Sequence, residues 1–319
     1  MRQEDARAEE VLQGAAPARA QNAAVASAGL RSAAVLFLLI VWGTQYLILR
    51  QTRTGAAPEV AAAFRYLLVL ICAQVFLWLR RPETPKHVGW GARLAVGLFK
   101  AVSTLLVYAA AQRIDSTWTA LTMATGPLFV PIFARLGGVE RKLTGRTRAA
   151  LALGAGGSVW IVGAPTKAAS SAAVGAVLAA AALGALSKVA AKRVALLLHP
   201  VVMLRDMAAA VFILSALASV GQPLEFAPEA MWAQTYLALV GSAAASAIFF
   251  WLLRTTSVTR LGFLPFATSA VGVVAGAAVG EEVSAWSLAG ALGIFAGGWL
   301  LVAGREPSRA PSEAPGGSP

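Results

Sequence analysis

Ten stretches of the chain, near 32–50, 57–79, 90–111, 116–137, 147–164, 170–190, 200–221, 232–253, 258–280 and 284–304, are long and apolar enough to be helices that cross a bilayer. A hydrocarbon core of about 30 Å takes about 20 such residues in a helix. Inside it the backbone must satisfy its own hydrogen bonds, so a run of spans folds as a helical bundle. The breaks "RQTRTGAAP", "RRPETPKH", "QRID", "VERKLTGRTR", "APTKAAS" and "GQPLEFAPEA" carry the Pro, Gly and charge that end helices. Most are short, which makes consecutive helices antiparallel neighbours. With 58% hydrophobic and 13% charged residues, the chain has no way to bury its apolar side chains in one soluble core. The expected fold class is an all-α membrane protein of ten transmembrane helices.

The ends differ in composition. Residues 1–31, Ala-rich with mixed charge, and 305–319, a Pro/Ser/Gly run, are expected to be disordered cytoplasmic tails. The first apolar run has no small-residue cleavage site leading to a soluble domain, so it reads as a retained helix and not a signal peptide. The one cysteine, Cys72, lies within the second span and excludes an internal disulfide. A net charge of +12 would suggest nucleic acid in a soluble protein. Here its placement suggests topology instead. With the N-terminus cytoplasmic, inner loops hold twelve basic residues, among them Arg80, Arg81, Arg141 and Lys142, and outer loops hold four, Arg50, Arg53, Arg113 and Lys167. That asymmetry follows the positive-inside rule and puts both tails in the cytoplasm.

Shifted against itself by 141 residues, the sequence superimposes Arg113 on Arg254, Ser116 on Ser257, Glu140 on Glu281, Gly157 on Gly298 and Gly163 on Gly304. A shift of 140 brings Arg65 onto Arg205. The sustained register argues for a duplicated five-helix unit, 32–164 and 170–304. Five is odd, so the second copy enters the membrane from the opposite side. Two inverted five-helix repeats are the signature of secondary transporters, with a substrate site near the midplane where the halves meet.

Four segments carry a resemblance. They are "VWGTQYLILR" in the first span, "PEVAAAFR" opening the second, "STWTALTMATGPLFVPIFARLGGVERKLTGRTRAALALGAGGSVWIVG", and "TSVTRLGFLPFATSAVGVVAGAAVGEEVSAWSLAGALGIFAGGWLLVAG". Together they resemble the EamA-type members of the drug/metabolite transporter superfamily over roughly residues 32–304. The resemblance implies ten helices in two inverted repeats, cytoplasmic termini, and a central cavity lined mainly by helices 1, 3, 4, 6, 8 and 9. It also implies export of amino acids, metabolites or toxic compounds, while related branches move sugar phosphates and nucleotide sugars. The first half departs from the pattern at "GGVERKL", where Gly138-Val139-Glu140 replaces an adjacent Gly-Glu.

The polar residues inside the spans are the candidate site. Lys100, Thr104, Tyr108 and Gln112 recur every fourth residue and line one face of the third helix. Lys100 is too central to snorkel to either interface, so it needs a carboxylate, cavity water or an anionic ligand, or else it is a neutral lysine that only packs. The first span offers Trp42, Thr44, Gln45 and Tyr46 near its middle, as a cavity wall or as packing. The fourth concentrates Thr119, Thr122 and Thr125 near Gly126 and Pro127, and the ninth places Thr268 and Ser269 near Pro265, both patterns of a kinked segment facing a cavity. With Ser187 beside Lys188 in the sixth span and Ser246, four after Ser242, in the eighth, the substrate-binding candidates are twelve: Trp42, Gln45, Tyr46, Lys100, Thr104, Tyr108, Thr122, Thr125, Ser187, Ser246, Thr268 and Ser269. Gly293 and Gly297 make a small face on the tenth helix, for packing within the monomer or for a homodimer.

Arg65 sits about two turns inside the second span, where an arginine costs roughly 2.5–3.5 kcal/mol unless it faces protein or water. Its expected partner is Glu281 or Glu282, on the same side of the membrane. Arg205, its repeat mate, is expected to pair with Glu140 or Asp206, the two pairs tying helices together or opening alternately. No cofactor or metal is expected: His87 and His199 lie at span edges, and no His/Cys/Asp/Glu set or P-loop is present, which argues against an enzyme and an ATP-driven pump. The expected function is secondary transport of a small polar metabolite, an amino acid or organic acid. The alternatives are a cationic or neutral amphipathic drug, or a non-transporting membrane protein.

Overall fold

Each of the ten apolar stretches forms one helix or a broken helix in the computed structural model, which describes residues 29–50, 56–82, 90–139, 144–162, 171–262, 264–281 and 285–302. No strand occurs among the described residues. Six stretches are single helices before the last: α1 (Gly29–Arg50), α2 (Pro58–Arg80), α3 (Trp90–Ala111), α6 (Gly145–Val162), α7 (Ser171–Val194) and α8 (Pro200–Ala218). The fourth is split into α4 (Ser116–Met123) and α5 (Gly126–Leu136). The eighth runs as α9 (Pro228–Tyr236), a π-helical segment (Leu237–Ala244) and α10 (Ala245–Thr255). The ninth is α11 (Val258–Gly262) and α12 (Leu264–Ala278), and the tenth is α13 (Ala285–Val302). Seven of these helices are long and apolar enough to cross a membrane, while α12 and Leu288–Leu300 of α13 are apolar but shorter. The tails, expected to be disordered, lie outside the described residues apart from the last few positions of the first.

The helices turn apolar faces outward and bury a mostly apolar core in which a few polar side chains are set. On α2, Leu67, Ile71, Val75, Trp78 and Leu79 are exposed and follow one face, whereas Val60, Ala61, Arg65, Tyr66, Val69 and Ala73 are buried on the other. In lipid the exposed face meets tails of its own polarity, so packing and hydrogen bonds, rather than hydrophobic burial, hold the helices together. Glycines supply the close approach. A Cβ on Gly157 would lie 2.5 Å from the carbonyl oxygen of Gly290, and one on Gly297 2.6 Å from that of Ala150, so α6 and α13 meet backbone to backbone. Trp160 and Trp286 stack at the end of this pair with ring centroids 4.2 Å apart, and the Trp286 indole donates to the Trp160 carbonyl. The Gly293/Gly297 face is therefore spent on α6.

Two helix ends share one device. After α12, Gly280 takes φ +82°, its N–H donates to Ala277 O, and the N–H of Glu281 reaches back to Gly276 O at 3.0 Å. After α5, Gly138 takes φ +68°, its N–H donates to Arg135 O, and Val139 N–H reaches Ala134 O at 2.8 Å. Both are Schellman closures, which need a left-handed residue that glycine adopts without strain. The register of these turns pairs Gly138 with Gly280, and hence Val139 with Glu281. That is one residue off the Glu140-to-Glu281 register of the sequence comparison. Glu140 itself lies outside the described residues.

Candidate functional site

A break, a bulge and a serine clamp build the interior. Pro127 near the start of α5 lacks the N–H that a continuous helix would need, so the fourth span turns between Met123 and Gly126. The eighth span widens into its π-helical segment, a geometry frequent at functional sites, and this segment carries Gly241 and Ser242. Between α3 and α7 the bonds are reciprocal: Ser103 Oγ donates to Ala180 O at 2.7 Å and Ser187 Oγ to Val96 O at 2.8 Å. Lys100 stands between Val96 and Ser103 on one helix, and Lys188 follows Ser187 on the other.

These elements surround two adjoining cavities of about 140 and 60 Å³. The larger is lined by Trp42, Gln45, Tyr46, Arg65, Tyr66, Lys100, Ser187, Lys188, Ser242, Ser246, Phe249, Phe250 and Thr268, among others. The smaller shares Gln45, Tyr46, Arg65, Tyr66 and Lys100 and adds Thr104 and Tyr108. Among the described residues, three cationic side chains, Arg65, Lys100 and Lys188, thus face the cavities, and no carboxylate lines either one.

Nine of the twelve candidate substrate residues converge here: Trp42, Gln45, Tyr46, Lys100, Thr104, Tyr108, Ser187, Ser246 and Thr268. Three do not. Thr125 Oγ1 donates to Thr122 O, and Ser269 Oγ to the carbonyls of Ala120 and Pro265, so their hydroxyls satisfy backbone around the breaks in place of a ligand. Thr122 is fully buried outside both cavities. Sequence reasoning missed Tyr66, Phe249 and Phe250, which look like ordinary membrane aromatics, and placed Arg65 and Lys188 in other roles or none. The depth of Lys188 within its span was the available signal.

Arg65 is corrected most. Its Nε donates to Ser242 Oγ at 2.8 Å, its Nη1 donates to Tyr108 OH at 3.3 Å, and its guanidinium lies 5.7 Å from the centre of the Tyr66 ring. Tyr108 OH in turn donates to Gln234 Oε1 at 2.9 Å. Glu281 is not its partner, and Glu282 lies outside the described residues. The reason is the Schellman turn, which aims Glu281 at the start of α4. There it accepts from Ser116 Oγ and Thr117 Oγ1 at 2.5 Å, from Thr117 N at 3.0 Å, and from Arg50 at 2.5 Å. Burial raises the Glu281 pKa, but the bonds from Ser116, Thr117 and Arg50 outweigh it and hold the carboxyl at about 2. Elsewhere, Asp206 joins Arg205 at 2.8 Å and Arg93 at 2.6 Å.

A bundle of helices with apolar outer faces, seven of them long enough to cross a bilayer, around a polar-lined cavity is the architecture of a multi-pass membrane protein. Residues 31–163 match the EamA-like transporter family. The uncharacterized inner membrane transporter YedA of Escherichia coli K12 is 27% identical over 258 residues, covering 78% of this chain and 82% of that protein. The YedA of Escherichia coli O157:H7 matches equally, at 27% over 258 residues. One solved crystal structure superposes with a TM-score of 0.66 at 18% identity, covering 85% of this chain and 96% of the other, a likeness of fold alone.

Proposed function

We propose that the protein is a secondary transporter that carries a small metabolite bearing an anionic group, an organic acid or amino acid, by alternating access around the central cavity. The observation that carries this reading is Lys100, which among the described residues pairs with no carboxylate and faces a cavity with no acid in its lining. A fixed cation in a low-dielectric cavity strongly favours an anionic ligand group. The cavity volume lies below the ~300–1,000 Å³ of drug-sized sites, which weighs against the alternative of an amphipathic drug.

The inverted repeat is part of the proposal. Exchanging each helix of the first half for its proposed counterpart in the second maps the α2–α8 and α6–α13 pairs onto themselves, and α3 on α8 onto α2 against the π-helical segment. The shared Schellman closures support the same symmetry. Cytoplasmic termini follow from the basic-residue asymmetry, and the covered Gly293/Gly297 face supports a monomer over a dimer through the last helix. The reading is tested by flux in sealed vesicles: saturable, ATP-independent uptake of an organic acid is expected, reduced at least tenfold in Lys100→Met. Unchanged flux in that variant, or preferential uptake of a cation, overturns the anion assignment.

A further inference from the structure

The three cavity cations are spread along α3: Arg65 bonds Tyr108, two turns beyond Lys100, while Lys188 follows the residue that bonds Val96, one turn before it. At one end, Arg65 of α2 is anchored by Ser242 and Tyr108, with its Nη2 group finding no acceptor among the described residues. At the other, Lys100 and Lys188 sit on α3 and α7, helices bonded to one another, and both line the larger cavity. The Ser103 and Ser187 bonds fasten these two helices on either side of Lys100 and one residue before Lys188.

Lysines in this bundle that serve only structure look different. One turn beyond Lys188, Lys192 donates to the carbonyls of Leu253 and Thr256 at 2.6 and 2.8 Å. Lys100 and Lys188 have no such acceptor among the described residues, although both are within spans. Two described carboxylates at the ends of spans are committed elsewhere, Glu281 to Ser116, Thr117 and Arg50, and Asp206 to Arg93 and Arg205.

We infer that the cavity is built for a compact dianion whose two anionic groups stand at opposite ends of a short chain, such as a dicarboxylate, one end at Lys100 and Lys188 and the other at Arg65. This rests on the transport reading and narrows it. A monoanion neutralises one place and leaves the other charged and desolvated. A zwitterionic amino acid brings an ammonium that meets three cations and no carboxylate. Two joined cavities of about 140 and 60 Å³, sharing Arg65 and Lys100, give a short chain the room to reach both.

The test is binding to the purified full-length protein by thermal shift and calorimetry, at constant ionic strength, with succinate, butyrate, alanine and glycerol 3-phosphate. Succinate is expected to bind at least about 30-fold more tightly than butyrate or alanine, since each is missing one charge-assisted contact or adds a repelled charge. Glycerol 3-phosphate, with both charges on one group, is expected to bind more weakly than succinate. Lys188→Met should shrink the succinate-to-butyrate ratio about tenfold, and Lys188→Arg should retain it, which separates loss of charge from misfolding. Equal binding of butyrate or alanine, a preference for the phosphate monoester, or an unchanged ratio in Lys188→Met overturns the inference. Vesicle flux distinguishes the two readings: saturable alanine uptake that succinate does not inhibit sinks the dianion site and leaves transport standing. Dianion-selective binding with no flux does the reverse.

Discussion

Replacing Glu281 tests how the two halves of the bundle are fastened. Its side chain is 4% exposed and its oxygens accept from Ser116, from both the amide and hydroxyl of Thr117, and from Arg50. The carboxylate therefore caps α4 from another helix, satisfying an N–H that the helix start leaves orphaned and meeting the positive end of its dipole. Depression of the pKa from 4.5 to about 2 corresponds to roughly 3 kcal/mol, at about 1.4 kcal/mol per tenfold in proton affinity. The cost of removing one partner of a buried charged pair, about 3–5 kcal/mol, agrees. Glu281→Gln, whose amide nitrogen faces donors whichever way it turns, should thus lose roughly 3 kcal/mol when the protein is unfolded by SDS titration in mixed micelles at pH 7. Because the folded carboxyl titrates below the unfolded one, the stabilisation is complete above the unfolded pKa of 4.5 and disappears as pH falls toward 2. The difference between wild type and variant should close over that window. A loss under about 1 kcal/mol at pH 7, or a difference independent of pH down to 3, refutes the capping account.

Further outcomes follow from the same geometry. A Cβ on Gly276 would lie 2.3 Å from Thr117 Oγ1 and 2.8 Å from Glu281 Oε2, so Gly276→Ala should cost about 1–3 kcal/mol in the same assay and be sub-additive with Glu281→Gln. Arg65→Lys keeps the charge but loses the planar fork that holds Ser242 and Tyr108 together; ligand affinity should fall about tenfold in calorimetry while the thermal midpoint shifts little. Replacing Ser103 and Ser187 together by Ala removes both bonds between α3 and α7, for an expected loss of about 2 kcal/mol by SDS titration, with each single variant near half of that.

Period and span length determine much of this protein directly from sequence. A run of apolar stretches of bilayer length has one way to satisfy its backbone, so the helices and their approximate ends are local properties. The fourfold spacing of Lys100, Thr104 and Tyr108 likewise fixes a shared helix face, since it depends only on helix geometry. Which charges meet is not local. Arg65 and Glu281 share a side of the membrane in the sequence reading, yet the left-handed turn at Gly280 directs Glu281 to Thr117, and the π-helical segment brings Ser242 to Arg65. Likewise Thr125 and Ser269 look as polar in sequence as Ser246, but their hydroxyls are consumed by carbonyls around the helix breaks. A turn's handedness, a bulge and a backbone bond each rotate or occupy a side chain without changing its position in the chain. Only the packed bundle decides whether that side chain faces a cavity, a neighbouring helix or a capped terminus.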